Sequence, residues 1–277
     1  MSTLTLCLWL WLGSFFAGLL GALTGLGGGV VVVPLMTLVF GIEFHYAAGA
    51  SLVSVIATSS GAAAAYVKQG YSNLRVGMFL EVATTLGAIA GAHLASHLAT
   101  SWIAIVFGLV LLYSAYLSVR QHAPSAGKPS GPLAKRLRLD GTMPTPDGPK
   151  PYHVTHVPAG FSLMFGAGVL SGLLGIGSGA VKVLAMDQIM RLPFKVSTTT
   201  SNFMIGVTAA ASAGIYLNDG YIDPALAMPV MLGVLPGALL GSHLLGGAPV
   251  RTLRWVFAVV IVALGAEMIY NGWTGKL

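Results

Sequence analysis

The sequence predicts an all-α integral membrane protein of two inverted repeats, each a glycine-rich membrane hairpin followed by three further transmembrane helices. Three observations carry that expectation. Hydrophobic residues make up 55% of the chain, charged residues only 8%, and mean hydropathy is +0.82. So little polar surface cannot cover a water-facing fold, and the apolar stretches must face lipid or one another. Gly25-Leu26-Gly27-Gly28-Gly29 recurs as Gly175-Ile176-Gly177-Ser178-Gly179. The same offset of 150 aligns residues 18–94 with 168–244 without a gap and makes 22 of the 77 pairs identical, which marks a duplicated unit.

Apolar runs bounded by turn residues place five helical segments in each half: 4–24, 29–41, 46–68, 75–97 and 101–119, then 157–175, 179–190, 196–217, 224–247 and 252–272. The first run is too long for a signal-peptide core and has no basic segment before it, so it counts as part of the fold. The second and seventh segments are short. About 13 residues cover roughly 20 Å of a hydrocarbon core about 30 Å thick, so these read as half-helices returning from a glycine tip buried in the membrane. The chain divides into a first membrane repeat (1–120), a proline-rich cytoplasmic linker (121–156) and a second membrane repeat (157–277). The linker carries Pro124, Pro129, Pro132, Pro144, Pro146, Pro149 and Pro151 with scattered charges and no apolar period, the pattern of a mobile segment.

Charge placement orients the halves, because cytoplasmic loops collect Lys and Arg. If the first two segments of each half form a hairpin, each half crosses an odd number of times and the second is inverted. Arg120, Lys128, Lys135, Arg136, Arg138, Lys150, Lys68, Arg75, Arg191, Lys195, Arg251 and Arg254 then lie inside, 12 of the 14 basic residues. Lys276 lies outside and Lys182 within the membrane. One broken pass instead of a hairpin would send four of those cations outside, so the inverted arrangement is expected, with both termini periplasmic or extracellular. The net charge of +6 thus reads as a topology signal and not as a nucleic-acid surface. Cys7 stands alone, so it forms no internal disulfide or Cys-based metal site.

A backbone tip with glycine at three of five positions leaves its amides open to approach, and the half-helix that follows points its positive end at the tip. Gly27, Gly28, Gly29, Gly177, Ser178 and Gly179 are therefore candidates for binding an anion, although glycine also serves close helix packing. Beside each tip lie hydroxyls: Ser51, Ser54, Thr58, Ser59 and Ser60 in the first half, Ser197 to Ser201, Asn202 and Thr208 in the second. The repeated pair Ser51 and Ser201, with Asn202, can donate to anionic oxygens without a fixed buried charge; the bland alternative is helix back-bonding. Lys182 stands three residues past the second tip with no acid one turn away. It can bind the anion directly or pair with Glu81, the lone acid of the fourth segment, whose protonation would couple transport to protons. Snorkelling to the interface is the ordinary alternative for both. Asp187 reads as a structural partner of Arg191 one turn on. The repeated His93 and His243 read as interfacial, and Trp9, Trp102, Trp255 and Trp273 as boundary anchors.

The glycine tips, Ala50-Ser51-Leu52 and the run Lys195-Val196-Ser197-Thr198-Thr199-Thr200-Ser201-Asn202-Phe203-Met204 resemble the sulfite exporter TauE/SafE family of bacterial permeases over nearly the whole membrane portion. The first tip with Pro34 after it follows the family pattern; the second departs from it at Ser178 and Leu184. The resemblance implies a transporter of sulfur-containing anions, such as sulfite, sulfoacetate or other sulfonates, in the bacterial inner membrane, driven by protons or another coupling ion. Duplicated membrane units of this kind hold substrate between the repeats. No cofactor, metal or nucleic acid is expected, and the partners are the small anion and the lipid bilayer. The alternatives are an anion channel and an intramembrane serine hydrolase, since Gly49-Ala50-Ser51-Leu52 loosely resembles the Gly-x-Ser stretch of rhomboid proteases.

Overall fold

The computed structural model describes residues 3–24, 27–68, 70–119, 130–145, 148–244 and 250–275. Of the residues named above, Gly25, Leu26, Arg120, Pro124, Lys128, Pro129, Pro146 and Lys276 lie outside them, as do the side chains of Lys68, His243, Arg251 and Arg254. The first half comprises α1 (Thr3–Thr24), α2 (Gly29–Pro34), α3 (Phe44–Lys68), α4 (Leu74–Ala95) and α5 (Thr100–Val119). A short α6 (Pro132–Arg136) and the antiparallel strands β1 (Gly141–Met143) and β2 (Lys150–Tyr152) follow. The second half comprises α7 (Val157–Leu174), α8 (Gly179–Leu184), α9 (Phe194–Asn218), α10 (Pro224–Leu244) and α11 (Val250–Thr274). Starts at Gly29 and Gly179, Phe44 and Phe194, Leu74 and Pro224, and Thr100 and Val250 each differ by 150, so the duplication holds element by element.

Four helices among the described residues are long and apolar enough to cross a membrane: Leu4–Ala22, Leu74–Ala95, Val157–Leu174 and Pro224–Gly241. The protein is an all-α, multi-pass membrane protein. The half-helices α2 and α8 are as short as expected, but each continues as a π-helical turn, Leu35–Val39 and Ala185–Ile189. Such wide turns recur at functional sites, and no periodicity in the sequence announces them.

Each half-helix runs back along the helix before it. A Cβ on Gly21 would lie 2.5 Å from the amide nitrogen of Gly28, and one on Gly13 would lie 2.6 Å from Leu35 Cδ2. As α1 is followed backwards, its partner advances, which defines an antiparallel hairpin. In the second half, Gly160 near the start of α7 meets Met190 just beyond the π turn, where a Cβ would lie 2.5 Å from Met190 Cγ.

The halves interlock. Helix α1 packs on α10, α4 on α7, α3 on α9 and α5 on α11, so each long contact joins the first half to the second. Glycine permits this closeness: a Cβ on Gly87 would fall 2.2 Å from the carbonyl oxygen of Phe165, and one on its repeat counterpart Gly237 would fall 2.1 Å from that of Phe15. In a membrane, where lipid is as apolar as leucine, such backbone approach supplies the dispersion contact that holds helices together.

The described part of the linker corrects the expectation of a mobile segment. Ala134, Leu139 and Val154 are fully or almost fully buried, in one apolar cluster with Val76 and Leu80 of α4, Met164 of α7 and Val196 of α9. Asn73 joins it to the membrane portion. Its Oδ1 caps α4 by accepting from the Val76 amide at 3.1 Å, and its Nδ2 donates to Leu139 O at 2.8 Å and Tyr152 Oη at 2.9 Å. The prolines misled because they end helices without excluding a hairpin whose apolar side chains are widely spaced.

Candidate functional site

The two glycine tips meet inside the helix assembly. Gly27 and Gly177 adopt left-handed φ of 82° and 71°, which L side chains take up only with strain. A Cβ on Gly29 would lie 3.2 Å from Ile176 Cα of the other tip and 2.6 Å from Ser51 Oγ, so the close approach itself requires glycine. The tips are not equivalent. Gly28 caps α2 with φ of −65°, whereas Ser178 caps α8 in the left-handed region with φ of 46°. The departure from glycine in the second tip therefore comes with a different backbone.

Around the tips sit Val55 and Ile205, repeat counterparts one from each half. A Cβ on Gly177 would lie 2.6 Å from Ile205 Cγ2 and 3.2 Å from Val55 Cγ1. Gly21, Ala22, Gly27, Val55, Thr58, Ser59, Asn202 and Ile205 enclose a cavity of ≈ 10 Å³, about the room one water requires. Val55 and Ile205, one from each half, both line this small cavity.

The hydroxyls divide by what they touch. Ser54 donates to Ser51 O at 2.7 Å, Thr58 to Ser54 O at 2.5 Å, and Ser201 to Gly179 O at 3.3 Å, so these serve backbone carbonyls. Ser59 donates to Asn202 O at 2.5 Å and accepts from the Gly206 amide at 3.0 Å, tying α3 to α9. Ser51 Oγ, Ser178 Oγ and Asn202 Nδ2 are buried without a partner among the described residues. An unmade buried hydrogen bond costs about 1–3 kcal/mol; Ser197 Oγ and Thr198 Oγ1 of the same hydroxyl run are likewise without a partner among the described residues, so donors on and beside the tips are open to a ligand. The candidate pair Ser51 and Ser201 is thus split: Ser51 is unpartnered, and Ser201 supports the half-helix.

Lys182 is fully buried, and its ammonium bonds a hydroxyl of α9. Its Nζ donates to Thr208 Oγ1 at 2.5 Å, and Thr208 Oγ1 donates to Glu81 Oε1 at 2.6 Å. Thr85 adds a bond to the same Glu81 oxygen at 3.3 Å. Glu81 Oε2 has no partner among the described residues. Snorkelling is excluded for both, because Lys182 is 0% and Glu81 8% exposed. Sequence reading left Lys182 either to bind the anion directly or to pair with Glu81, and it did not place Thr208 between the two charges. The signal was present in the identity of Thr58 and Thr208, although Thr58 bonds only its own helix.

Two contacts related by the repeat close the ends of α3 and α9. His45 stacks on Tyr221 with ring centroids 4.7 Å apart, and Lys195 sits 3.8 Å over the ring of Tyr71; residue 45 answers 195, and 71 answers 221. Glu43 holds His45 at 2.6 Å, and Ala95 O lies 3.2 Å from the other ring nitrogen. At the second contact, Thr199 donates to Tyr71 O at 3.0 Å, and the Asn73 amide donates to Thr200 Oγ1 at 3.0 Å. The sequence displayed the Tyr71 and Tyr221 identity, but His45 and Lys195 differ in type and escaped notice. His93 is exposed beside His97 with centroids 4.8 Å apart, well away from a buried relay. Asp187 and Arg191 each have a polar partner.

Residues 10–268 match the model of the family described as Sulfite exporter TauE/SafE. Over 265 residues the chain is 25% identical to the probable membrane transporter protein YunE of Bacillus subtilis (strain 168), covering 92% of this chain and 94% of the relative. It is 25% identical over 264 residues to a probable membrane transporter protein of Xylella fastidiosa (strain 9a5c), covering 94% and 92%. It is also 22% identical over 272 residues to the probable membrane transporter protein MJ0441 of Methanocaldococcus jannaschii, covering 92% of each. No solved structure matches.

Proposed function

Because the chain belongs to the sulfite exporter TauE/SafE family, we propose that this membrane transporter is a secondary carrier of sulfur-containing anions. Its substrates are sulfite, sulfoacetate or other organosulfonates, moved across the bacterial inner membrane by alternating access coupled to an ion gradient. The observation that carries the reading is the group of unpartnered buried donors, Ser51 Oγ, Ser178 Oγ and Asn202 Nδ2, beside two glycine tips in contact. Three oxygens of a sulfonate accept hydrogen bonds in several directions, which suits hydroxyl and carboxamide donors.

The repeats are inverted in this proposal, with the linker cytoplasmic and both termini periplasmic or extracellular. The antiparallel hairpins support it, since a hairpin plus three crossings leaves each half an odd number of passes, and the basic residues then collect inside. Inversion sets the two aromatic contacts on opposite sides of the bilayer, where each can open while the other holds. Serine hydrolysis is disfavoured because Ser51 Oγ has no base within hydrogen-bond reach among the described residues.

The test is flux into proteoliposomes of labelled sulfite, sulfoacetate, taurine, sulfate and chloride under an imposed proton gradient. Saturable flux of one sulfur anion is expected. Flux of chloride alone, or currents too large for a carrier, would end the sulfur-anion reading.

A further inference from the structure

Building on the carrier reading, we propose that Glu81, Thr208 and Lys182 form the coupling site for a proton, and that protonating Glu81 releases the charge of Lys182 to the substrate anion. The three side chains come from α4, α9 and α8, so the site joins both halves of the chain and reaches the second tip. Lys182 lies one turn along the half-helix that begins beside Ser178, and its own amide bonds Ser178 O at 3.2 Å. Thr208 lies one turn beyond Ile205, which lines the central cavity.

The hydrogen bonds specify the chemistry. A threonine hydroxyl has one proton to give; with Lys182 donating to Thr208 Oγ1, that proton has Glu81 Oε1 at 2.6 Å and Met204 O at 3.0 Å in reach, and the shorter bond to a charged acceptor is the stronger. Glu81 Oε2 is left as a buried acceptor without a partner among the described residues. A hydronium ion gives up a proton there, one of its O–H bonds breaking as the carboxyl O–H forms and water leaving, and the proton passes back to water when the site opens on the far side. Before protonation the ammonium and carboxylate cancel. Afterwards the group carries one positive charge, which a monovalent anion at the tips cancels in turn. Lys182 therefore serves the carboxylate and the substrate in alternation, and an uncompensated charge inside the membrane is avoided in both states. By linkage, the anion and the proton each favour the other's binding.

Few other ionisable groups intrude. Helix α7 contains none between Val157 and Leu174, and α9 contains only Lys195, held over Tyr71, and Tyr216, which donates to Gly172 O at 3.1 Å. On α4 the others are Arg75, which bonds Arg138 O, and the exposed His93. The π turn after α8 carries Asp187, which has its own polar partner.

The experiment uses purified full-length protein and methanesulfonate, a monovalent probe that does not titrate near neutrality. In weakly buffered detergent solution the wild type should take up protons as methanesulfonate binds, and its affinity should fall as pH rises. Glu81→Gln should lose the proton uptake and bind with a flat pH profile. Equal proton uptake by Glu81→Gln, or wild-type binding without proton uptake, would overturn the proposal. Infrared difference spectra between mildly acid and mildly alkaline pH test the site without any substrate. A carboxylic-acid band that titrates in the wild type and vanishes in Glu81→Gln is expected; a wild type without such a band overturns the proposal even if the variant fails to fold. If the wild type binds no sulfur anion but shows the band, the substrate reading fails and the proton site stands.

Discussion

Lys182 and Glu81, from opposite halves of a duplicated chain, share one hydroxyl: Thr208 lies 2.5 Å from the ammonium and 2.6 Å from the carboxylate. No charge pair within hydrogen-bond distance is needed to neutralise them, because the hydroxyl dipole carries the interaction across.

Replacing that hydroxyl should be costly. Thr208→Val leaves two buried charges without a mediator and is expected to lower stability by about 3–5 kcal/mol, the scale for removing one partner of a buried ionic pair. Thr208→Ser keeps the hydroxyl and should stay within about 1.5 kcal/mol of wild type. Thermal unfolding in detergent measures both, and equal midpoints for the two variants would show that the relay contributes nothing to folding.

Two glycine substitutions separate conformation from packing. Gly27→Ala has space, since its nearest neighbour would be Ile205 Cδ1 at 3.7 Å, but must hold φ of 82°; the cost is about 1–2 kcal/mol. Gly237→Ala would drive a Cβ to 2.1 Å from a backbone oxygen of α1 and force α1 and α10 apart, at about 1–3 kcal/mol. Gly27→Leu should abolish flux in protein that still inserts. Full transport by Gly27→Leu would remove the tip from the substrate path.

The paired aromatic contacts should act on opposite faces. In a Cys7→Ser background with Asn202→Cys as reporter, Lys195→Ala should raise labelling by an impermeant thiol reagent from the linker side. Tyr221→Ala should raise it from the other side. Increases from the same side for both would count against the gating role and against inverted repeats.

The docked linker should loosen in acid. Burial raises the pKa of Asp140, but hydrogen bonds from Ser130 and the Val154 amide, with His153 beside it, outweigh burial and hold it below the usual carboxylate value. A lowered folded pKa means the stabilisation is complete above the unfolded value of about 3.9 and disappears as pH falls through the folded one. Protection of the Val154 amide, its exchange relative to the intrinsic rate at the same pH, should therefore fall only below about pH 4 in the wild type. In Asp140→Asn protection should already be low at neutral pH; unchanged protection there would remove Asp140 as the clasp.

Composition and repetition along the chain determined the membrane class, the ten principal helices and the duplication at an offset of 150, and they singled out Gly27, Gly177, Ser51, Asn202, Glu81 and Lys182 as candidates. Hydropathy, helix period and glycine freedom are local properties, so a linear reading reaches them. Tertiary structure alone decided which groups meet. Ser201 turns to the Gly179 carbonyl while Ser51 has no partner among the described residues, Lys182 bonds Thr208, and the described part of the proline-rich linker folds onto α4, α7 and α9. The physical reason is interlocking: α1 crosses to α10 and α4 to α7, so each side chain's neighbours come mainly from the other half, where sequence distance says nothing about separation in space.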